Sequence, residues 1–231
     1  MVRNPAPPPL SNLSLAEAMA RIPPDLHPMT QDIRPRRVAR MVEVLDRRMG
    51  SVVLVAEAVR RRHNVSAIIR TADALGLHEV HLITGSFRPS AGAARGSERW
   101  IQLERHTTTE GCLEQLKARG FRVYAADLCP GAVPPEQVPV DGPMALLFGA
   151  ELSGVTDSAR ALVDGFVVLP MLGFVESVNV SVAAALITRA VADRRRAIVG
   201  ADLSEAARHS ALEAWLGRES AYKAAAATRT R

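Results

Sequence analysis

Residues 170–183 read P-M-L-G-F-V-E-S-V-N-V-S-V-A, and this stretch predicts a glycine-containing loop that runs directly into a helix. An apolar strand at 166–169 precedes the loop, and Gly173 permits a sharp bend. Ser177 and Asn179 stand where a helix N-cap is expected. Because such a junction leaves backbone N–H groups unpaired, we expect a polar ligand to dock there.

Short apolar runs alternate with helical patterns from residue 52 onward. The predicted strands are residues 52–56, 80–84, 100–103, 121–126, 144–148 and 166–169. The predicted helices are residues 35–49, 65–75, 109–119, 157–163, 180–196 and 204–227. This alternation indicates an α/β fold in which a parallel sheet has helices on both faces. Ligands of such sheets bind outside the carboxyl ends of the strands.

The chain has 231 residues, of which 48% are hydrophobic and 23% are charged, so it is long enough for one well-buried domain with modest extensions. We divide it into a proline-rich arm and basic helical extension at 1–50, a central domain at 51–199 and a helical tail at 200–231. No segment approaches the roughly 20 apolar residues of a membrane span, and no secretory signal is evident. We therefore expect a soluble, cytoplasmic protein.

The cysteine spacing and the absence of several familiar motifs argue against a number of enzyme classes. Cys112 and Cys129 lack metal-ligand spacing, so we expect reduced structural thiols and no metal. The glycine pair at 149–154 has the first spacing of a P-loop, but Val155 occupies the place of the required lysine. The sequence also lacks G-x-G-x-x-G after the first strand, a G-x-S-x-G elbow and H-E-x-x-H, which argues against a dinucleotide site, that hydrolase type and that zinc protease type.

The positive charge points to a polyanionic partner. The formal net charge is +5 and the sequence pI is near 10.0. Arginines cluster on the predicted helix at 35–49 and at the end of the helix at 180–196, so phosphate contacts to a nucleic acid are one interpretation. A merely solvated face explains the first cluster equally well. The arginines to which we assign RNA contacts are Arg36, Arg37, Arg40, Arg194, Arg195 and Arg196.

Three segments carry polar residues at the ends of strands or the beginnings of helices, and each residue also has an ordinary structural explanation. Asn64 suits a helix N-cap, and Glu151 suits the first turn of a helix. Arg70 lies opposite the apolar stripe of its helix, which is typical of a solvent-facing arginine. Ser177 and Asn179 are explained by capping alone. Spacing by itself does not make any of the five catalytic.

Taken together, the three segments resemble the signature motifs of the SpoU/TrmH family of SPOUT RNA methyltransferases. These are N-x-x-A-I-I-R-T-A from residue 64, G-x-E-x-x-G from residue 149 and P-M-x-G-x-x-x-S-x-N-V-S-V-A from residue 170. The order, spacing and element context all agree over residues 52–198. The segment I-I-R-T-A-D-A-L-G at 68–76 is most similar to the family's tRNA guanosine-2′-O-methyltransferase branch. Val178 departs conservatively from the leucine that is common in relatives.

The resemblance implies a deep trefoil knot, a homodimer and bound S-adenosylmethionine, with no metal. It also implies tRNA as the substrate, with methylation of the 2′-hydroxyl of the D-loop guanosine at position 18. We expect no DNA or membrane partner. The residues that the family assigns to catalysis correspond to Arg70, Asn64, Glu151, Ser177 and Asn179. Those that would line the cofactor are Ala126, Gly149, Leu169, Met171 and Val178.

Two other functions remain open at this point. The first is 2′-O-methylation of ribosomal RNA, which uses the same three motifs. Many such enzymes carry a separate RNA-binding domain, and the roughly 50 residues before the central domain leave little room for one. The second is RNA binding without turnover, against which the five intact polar residues argue.

Overall fold

We describe a computed structural model of the chain over residues 13–83 and 96–229, without the side chains of 223–229. The start of the proline-rich arm, residues 1–12, lies outside the described residues, as does Thr84 at the end of one predicted strand. The described residues form two compact units, one from Met49–Asp202 and one from the segments before and after it.

The central unit contains a six-stranded parallel sheet, so the predicted α/β class is confirmed. Its strand order is β3-β2-β1-β5-β4-β6. The strands are β1 (Val52–Glu57), β2 (Glu79–Ile83), β3 (Gln102–His106), β4 (Arg122–Ala126), β5 (Met144–Phe148) and β6 (Gly165–Val167). All six strands are within a few residues of the prediction. The β3 strand begins two residues later than expected, because a short 3-10 turn, Ser97–Arg99, holds Trp100.

Seven α-helices accompany the sheet within the described residues. They are α1 (Leu15–Met19), α2 (Pro35–Leu45), α3 (Arg62–Ala74), α4 (Thr109–Ala118), α5 (Asp157–Leu162), α6 (Val180–Val199) and α7 (Glu205–Arg229). Two further 3-10 segments are Pro24–Thr30 and Pro135–Gln137. Helix α3 begins three residues earlier than predicted, which places Asn64 inside the helix rather than at its cap.

Both faces of the sheet are buried, as an all-parallel sheet requires. Alternate residues of β1 point to opposite faces: Leu54 packs in a core with Ile68 of α3 and Ile187 of α6. Val55 packs in a second core with Leu113 of α4. The loops that follow the carboxyl ends of the central strands are therefore anchored to a sheet that is covered on both faces.

The other unit is built from the chain up to Arg48 and from Leu203 onward. Helix α2 packs against α1 and α7, with Val42 and Leu45 buried from α2 and Trp215 buried from α7. The guanidinium of Arg48 lies 5.5 Å from the centroid of the Trp215 ring. In neither unit does a helix of the described residues have the length and apolarity needed to cross a membrane.

Candidate active site

A pocket of about 580 Å³ opens at the carboxyl ends of β4, β5 and β6. This volume lies within the usual range for small-molecule sites, about 300–1,000 Å³. All five residues predicted to line the cofactor do line this pocket: Ala126, Gly149, Leu169, Met171 and Val178. Apolar walls from Leu169 and Val178 suit an adenine ring, while Asp127 and Glu176 supply negative charge that suits a sulfonium. The residues present therefore fit S-adenosylmethionine.

The turn that follows β5 has room only for glycine at its first position. A Cβ atom on Gly149 would lie 2.3 Å from the carbonyl carbon and oxygen of Gly154. The turn is closed by paired hydrogen bonds, in which Ala150 N donates to Gly154 O at 3.0 Å and Gly154 N donates to Ala150 O at 2.9 Å. Gly154 adopts a positive φ of 67°, which a residue with a side chain disfavours. This compact turn presents Glu151 at the rim of the pocket.

Three of the predicted catalytic side chains are joined by hydrogen bonds. Asn64 Nδ2 donates to Glu151 Oε1 at 2.7 Å, and Asn179 Nδ2 donates to Asn64 Oδ1 at 3.2 Å. Asn179 is the N-cap of α6, where its Oδ1 accepts from the backbone N–H of Ser181 at 2.8 Å. This series of hydrogen bonds links all three motifs. It also fixes the orientation of the Asn64 amide, and Asn64 is only 4% exposed.

Glu151 serves as an anionic partner for the beginning of α3. No side chain caps this helix, and Glu151 Oε1 accepts from the backbone N–H of Arg61, its N-cap residue, at 3.3 Å. Burial alone raises the pKa of the Glu151 carboxyl, but hydrogen bonds from backbone N–H groups and from Asn64 lower it below its ordinary value. Glu151 is therefore a carboxylate at neutral pH and acts as an acceptor, not as an acid.

Arg70 and Ser177 are not part of this hydrogen-bonded chain. Arg70 is exposed on α3, as its position opposite the apolar stripe predicts, and it is not among the residues that line the pocket. Its guanidinium has no hydrogen bond or ion pair with any residue in 13–83 or 96–229. Ser177 is exposed and lines the pocket. The sequence offered both Ser177 and Asn179 as candidate N-caps, and in the structure Asn179 is the N-cap of α6.

Glu57 was not identified from the sequence, although it holds the far end of the Gly149 turn. It ends β1 and is 1% exposed. Its Oε1 accepts from the hydroxyls of Thr109 and Thr156, each at 2.6 Å, and its Oε2 accepts from Thr156 N at 3.0 Å. Thr156 caps α5 directly after the turn. The sequence signal that could have identified it is a glutamate at the end of an otherwise apolar strand.

The arginines at the end of α6, which are predicted to contact RNA, make hydrogen bonds within the fold. Arg195 is buried, donating to Ser51 Oγ at 3.0 Å and to Val140 O at 3.1 Å. Arg194 donates to two backbone carbonyls near Pro135, and Arg196 donates to Leu75 O at 2.8 Å. These guanidinium groups fasten α6 to neighbouring loops, and their assignment to RNA binding stays a prediction.

The arginines of α2 are less committed. Arg36 is exposed, Arg37 pairs with Glu219 at 3.4 Å and Arg40 pairs with Glu43 at 3.7 Å. Surface ion pairs contribute little stability, typically about 0–1 kcal/mol. Their assignment to RNA binding stays a prediction.

A second polar cluster lies on the sheet away from the pocket. His81 Nδ1 and His106 Nε2 are 2.8 Å apart, and Cys112 lies close enough that the three ligand atoms fall within 4.8 Å of one another. Burial, and then His81, lower the pKa of His106, while burial raises the pKa of the Cys112 thiol to about 12. The nitrogens are hydrogen-bonded to each other and the thiol is protonated, and both cysteines are free. That no metal is needed stays a prediction.

Comparison with known proteins agrees with this site. Residues 51–189 match the sequence profile of the family described as the SpoU rRNA Methylase family. The tRNA (guanosine(18)-2′-O)-methyltransferase of Escherichia coli K12 is 43% identical over 175 residues, which are 75% of this chain and 76% of that protein.

Solved structures agree as well. The A. aeolicus TrmH/SpoU tRNA modifying enzyme superposes with a TM-score of 0.73 at 31% identity, covering 80% of this chain and 96% of that one. The SpoU methyltransferase AviRb from Streptomyces viridochromogenes, solved in complex with the cofactor AdoMet, gives a TM-score of 0.58 at 26% identity, covering 65% and 62% of the two chains. With this pocket and all three motifs in place, the chain belongs to the SpoU methylase family.

Proposed function

We propose that the protein transfers a methyl group from S-adenosylmethionine to the 2′-hydroxyl of guanosine 18 in the D-loop of tRNA. The observation that carries this proposal is the pocket whose wall includes Gly149, Leu169 and Val178. Glu151 and Asn179 also line it, and both are hydrogen-bonded to Asn64. The choice of guanosine 18 is supported by the name of the Escherichia coli relative. We place the catalytic domain at 51–199 and the reaction in the cytoplasm, where tRNA is found.

S-adenosylmethionine, when bound, supplies an electrophilic methyl group. The protein's own task is to hold a ribose hydroxyl in line with that group and to stabilise the negative charge that develops on its oxygen. We assign charge stabilisation to Arg70, because an arginine stays protonated at ordinary pH and its planar fork suits a phosphate or alkoxide. Asn64 orients the ribose, and Glu151 and Asn179 hold Asn64 in place. Ser177 positions the cofactor loop.

We also propose that the protein works as a homodimer. Leu172 and Phe174, on the loop beside the pocket, are 101% and 109% exposed. Val182 and Leu186 on α6 are exposed one helical turn apart. Such a group of large apolar side chains is costly in water and is typical of a protein–protein interface. Because Arg70 lies outside the lining of its own chain's pocket, we assign it to the cofactor site of the partner. The trefoil knot stays a prediction.

The test is methyl transfer from labelled S-adenosylmethionine to tRNA transcripts, followed by mapping of the modified ribose. A transcript with 2′-deoxyguanosine at position 18 is the matched control, because it keeps the base and loses the acceptor oxygen. We expect methylation of the normal transcript and none of the control. Equal labelling of both transcripts would contradict the assigned position. Labelling of ribosomal RNA alone would favour the ribosomal alternative, and cofactor binding without transfer to either RNA would favour a non-catalytic RNA-binding protein.

A further inference from the structure

Among the described arginines of the central unit, four differ from the rest because their side chains have no described protein partner. Within the described residues, the side chains of Arg60, Arg61, Arg62 and Arg70 are exposed and make no hydrogen bond, ion pair or ring contact. Every other described arginine of this unit has such an interaction: Arg99, Arg105, Arg119, Arg122, Arg160, Arg189, Arg194, Arg195 and Arg196.

Three of the four are consecutive, and the middle one, Arg61, is at the pocket. Arg61 lines the pocket, and its backbone N–H donates to Glu151. Arg62 begins α3, and Arg70 follows it on the same helix after about 12 Å of helical rise. At the rise of about 3.4 Å per nucleotide of a stacked strand, that distance corresponds to about three nucleotides.

Folding stability does not account for this cluster. The N-terminus of a helix is the positive end of its dipole, so a cation there is unfavourable by typically 0.3–1 kcal/mol. Helix α3 nonetheless begins with Arg61 as its N-cap and Arg62 as its first residue, and it has no acidic residue in its first turn. The neighbouring arginines also repel one another, since no described carboxylate pairs with their guanidinium groups. A bound polyanion removes both penalties.

We propose that Arg60, Arg61 and Arg62, the rim arginines, form a phosphate-binding surface that grips the RNA strand beside the methylated nucleotide. This inference rests on the proposed function. A guanidinium binds a phosphate through two parallel hydrogen bonds. Three adjacent guanidinium groups would therefore fix the position of the RNA strand relative to Asn64. The rim arginines differ from the α6 arginines, whose guanidinium groups already donate hydrogen bonds inside the fold.

The first experiment compares the salt dependence of tRNA binding in two charge-matched double variants. Arg60→Gln with Arg62→Gln removes two rim arginines, and Arg21→Gln with Arg122→Gln removes two arginines that are paired with Asp46 and Asp141. We expect the rim variant to lower the slope of log affinity against log salt by roughly 1.5, since each phosphate contact contributes about 0.7–0.9. The control variant keeps the wild-type slope. An unchanged slope in the rim variant, or an equal fall in the control, overturns the proposal.

Arg61 needs a separate measurement because it lines the pocket. We expect Arg61→Gln to weaken tRNA binding by a larger factor than it weakens S-adenosylmethionine binding, which calorimetry measures. A loss of cofactor affinity with tRNA affinity intact would assign Arg61 to the cofactor and remove it from the surface. The two proposals fail separately. Wild-type protein that binds tRNA with a slope sensitive to the rim arginines but never methylates it retains the surface and loses the proposed function.

Discussion

The turn after β5 offers a sharp quantitative test, because two glycines in it differ in what a methyl group would meet. A Cβ on Gly149 would lie 2.3 Å from Gly154 C and O and 2.5 Å from Val155 N, whereas a Cβ on Gly154 would meet no atom within 4 Å. Ordinary van der Waals contact begins near 3.4 Å. Gly149→Ala must therefore displace the opposite side of the turn by about 1 Å, while Gly154→Ala faces only the strain of its positive φ.

The expected costs follow from those contacts. Displacing Gly154 lengthens or breaks two hydrogen bonds, each contributing about 0.5–1.5 kcal/mol, and overpacking adds about 1–3 kcal/mol. Gly149→Ala should therefore destabilise the turn by roughly 2–6 kcal/mol. Gly154→Ala should cost about 1–2 kcal/mol, the usual penalty of a left-handed conformation. Because the turn carries Glu151 and forms part of the pocket wall, we expect Gly149→Ala to weaken ligand binding more than Gly154→Ala does.

Calorimetric titration with S-adenosylmethionine measures this difference, and urea unfolding confirms that each variant is folded at the assay temperature. A cost of roughly 2 kcal/mol in the bound geometry corresponds to a loss of affinity of about thirtyfold for Gly149→Ala. We expect a clearly smaller loss for Gly154→Ala. Equal affinities for wild type and a folded Gly149→Ala variant would refute the assignment of this turn to the cofactor pocket.

Three further perturbations test the assignments. Arg70→Ala should lower the methylation rate by roughly a hundredfold with S-adenosylmethionine affinity retained. Arg70→Lys keeps the charge but loses the planar fork, so it separates simple charge from bidentate geometry. Full activity of the alanine variant contradicts the assignment of charge stabilisation to Arg70. Chains carrying Arg70→Ala, mixed with chains carrying Gly149→Ala, should regain activity if Arg70 serves the partner's cofactor, whereas mixtures that stay inactive despite proven subunit exchange would show that each site is self-contained. Burial raises the pKa of the Glu79 carboxyl, but Arg119 and His81 outweigh this and lower it to about 2 from 4.5. This pairing therefore stabilises the fold above pH 4.5 and is lost as the pH falls toward 2. Glu79→Gln should flatten the pH dependence of the urea midpoint in that window, and parallel curves for the two proteins would exclude the pairing.

The sequence was informative wherever a local pattern decides the structure. Alternating apolar runs predicted the parallel sheet, and the Asn179 cap follows from one residue before an apolar helix. Contacts between distant segments were not accessible in this way. Arg195 looks like a surface residue in a run of three arginines, yet it is buried against Ser51 and Val140, 144 and 55 residues away.

The same limit explains Asn64, which has the residue type of a cap. It lies in the third position of α3, because the amide is held by Glu151 and Asn179 from two other segments rather than by the end of its own helix. Glu57 is similar, since its value as an acceptor depends on two threonines, 52 and 99 residues further along. Residue type shows that these side chains can form hydrogen bonds, but only the folded sheet determines which of them lie close enough to do so.

The protonation states of the site constrain how it can work. Glu151 has a lowered pKa and already accepts from Asn64 and from the backbone of Arg61, so it does not accept a proton readily near neutral pH. Asn64 and Asn179 do not titrate, and arginine side chains in general do not act as bases near neutral pH. The five side chains assigned to catalysis therefore offer hydrogen bonds and positive charge but no base poised near neutrality. Rate acceleration in such a site comes from holding the hydroxyl in line and favouring its ionised form, with the proton released to water.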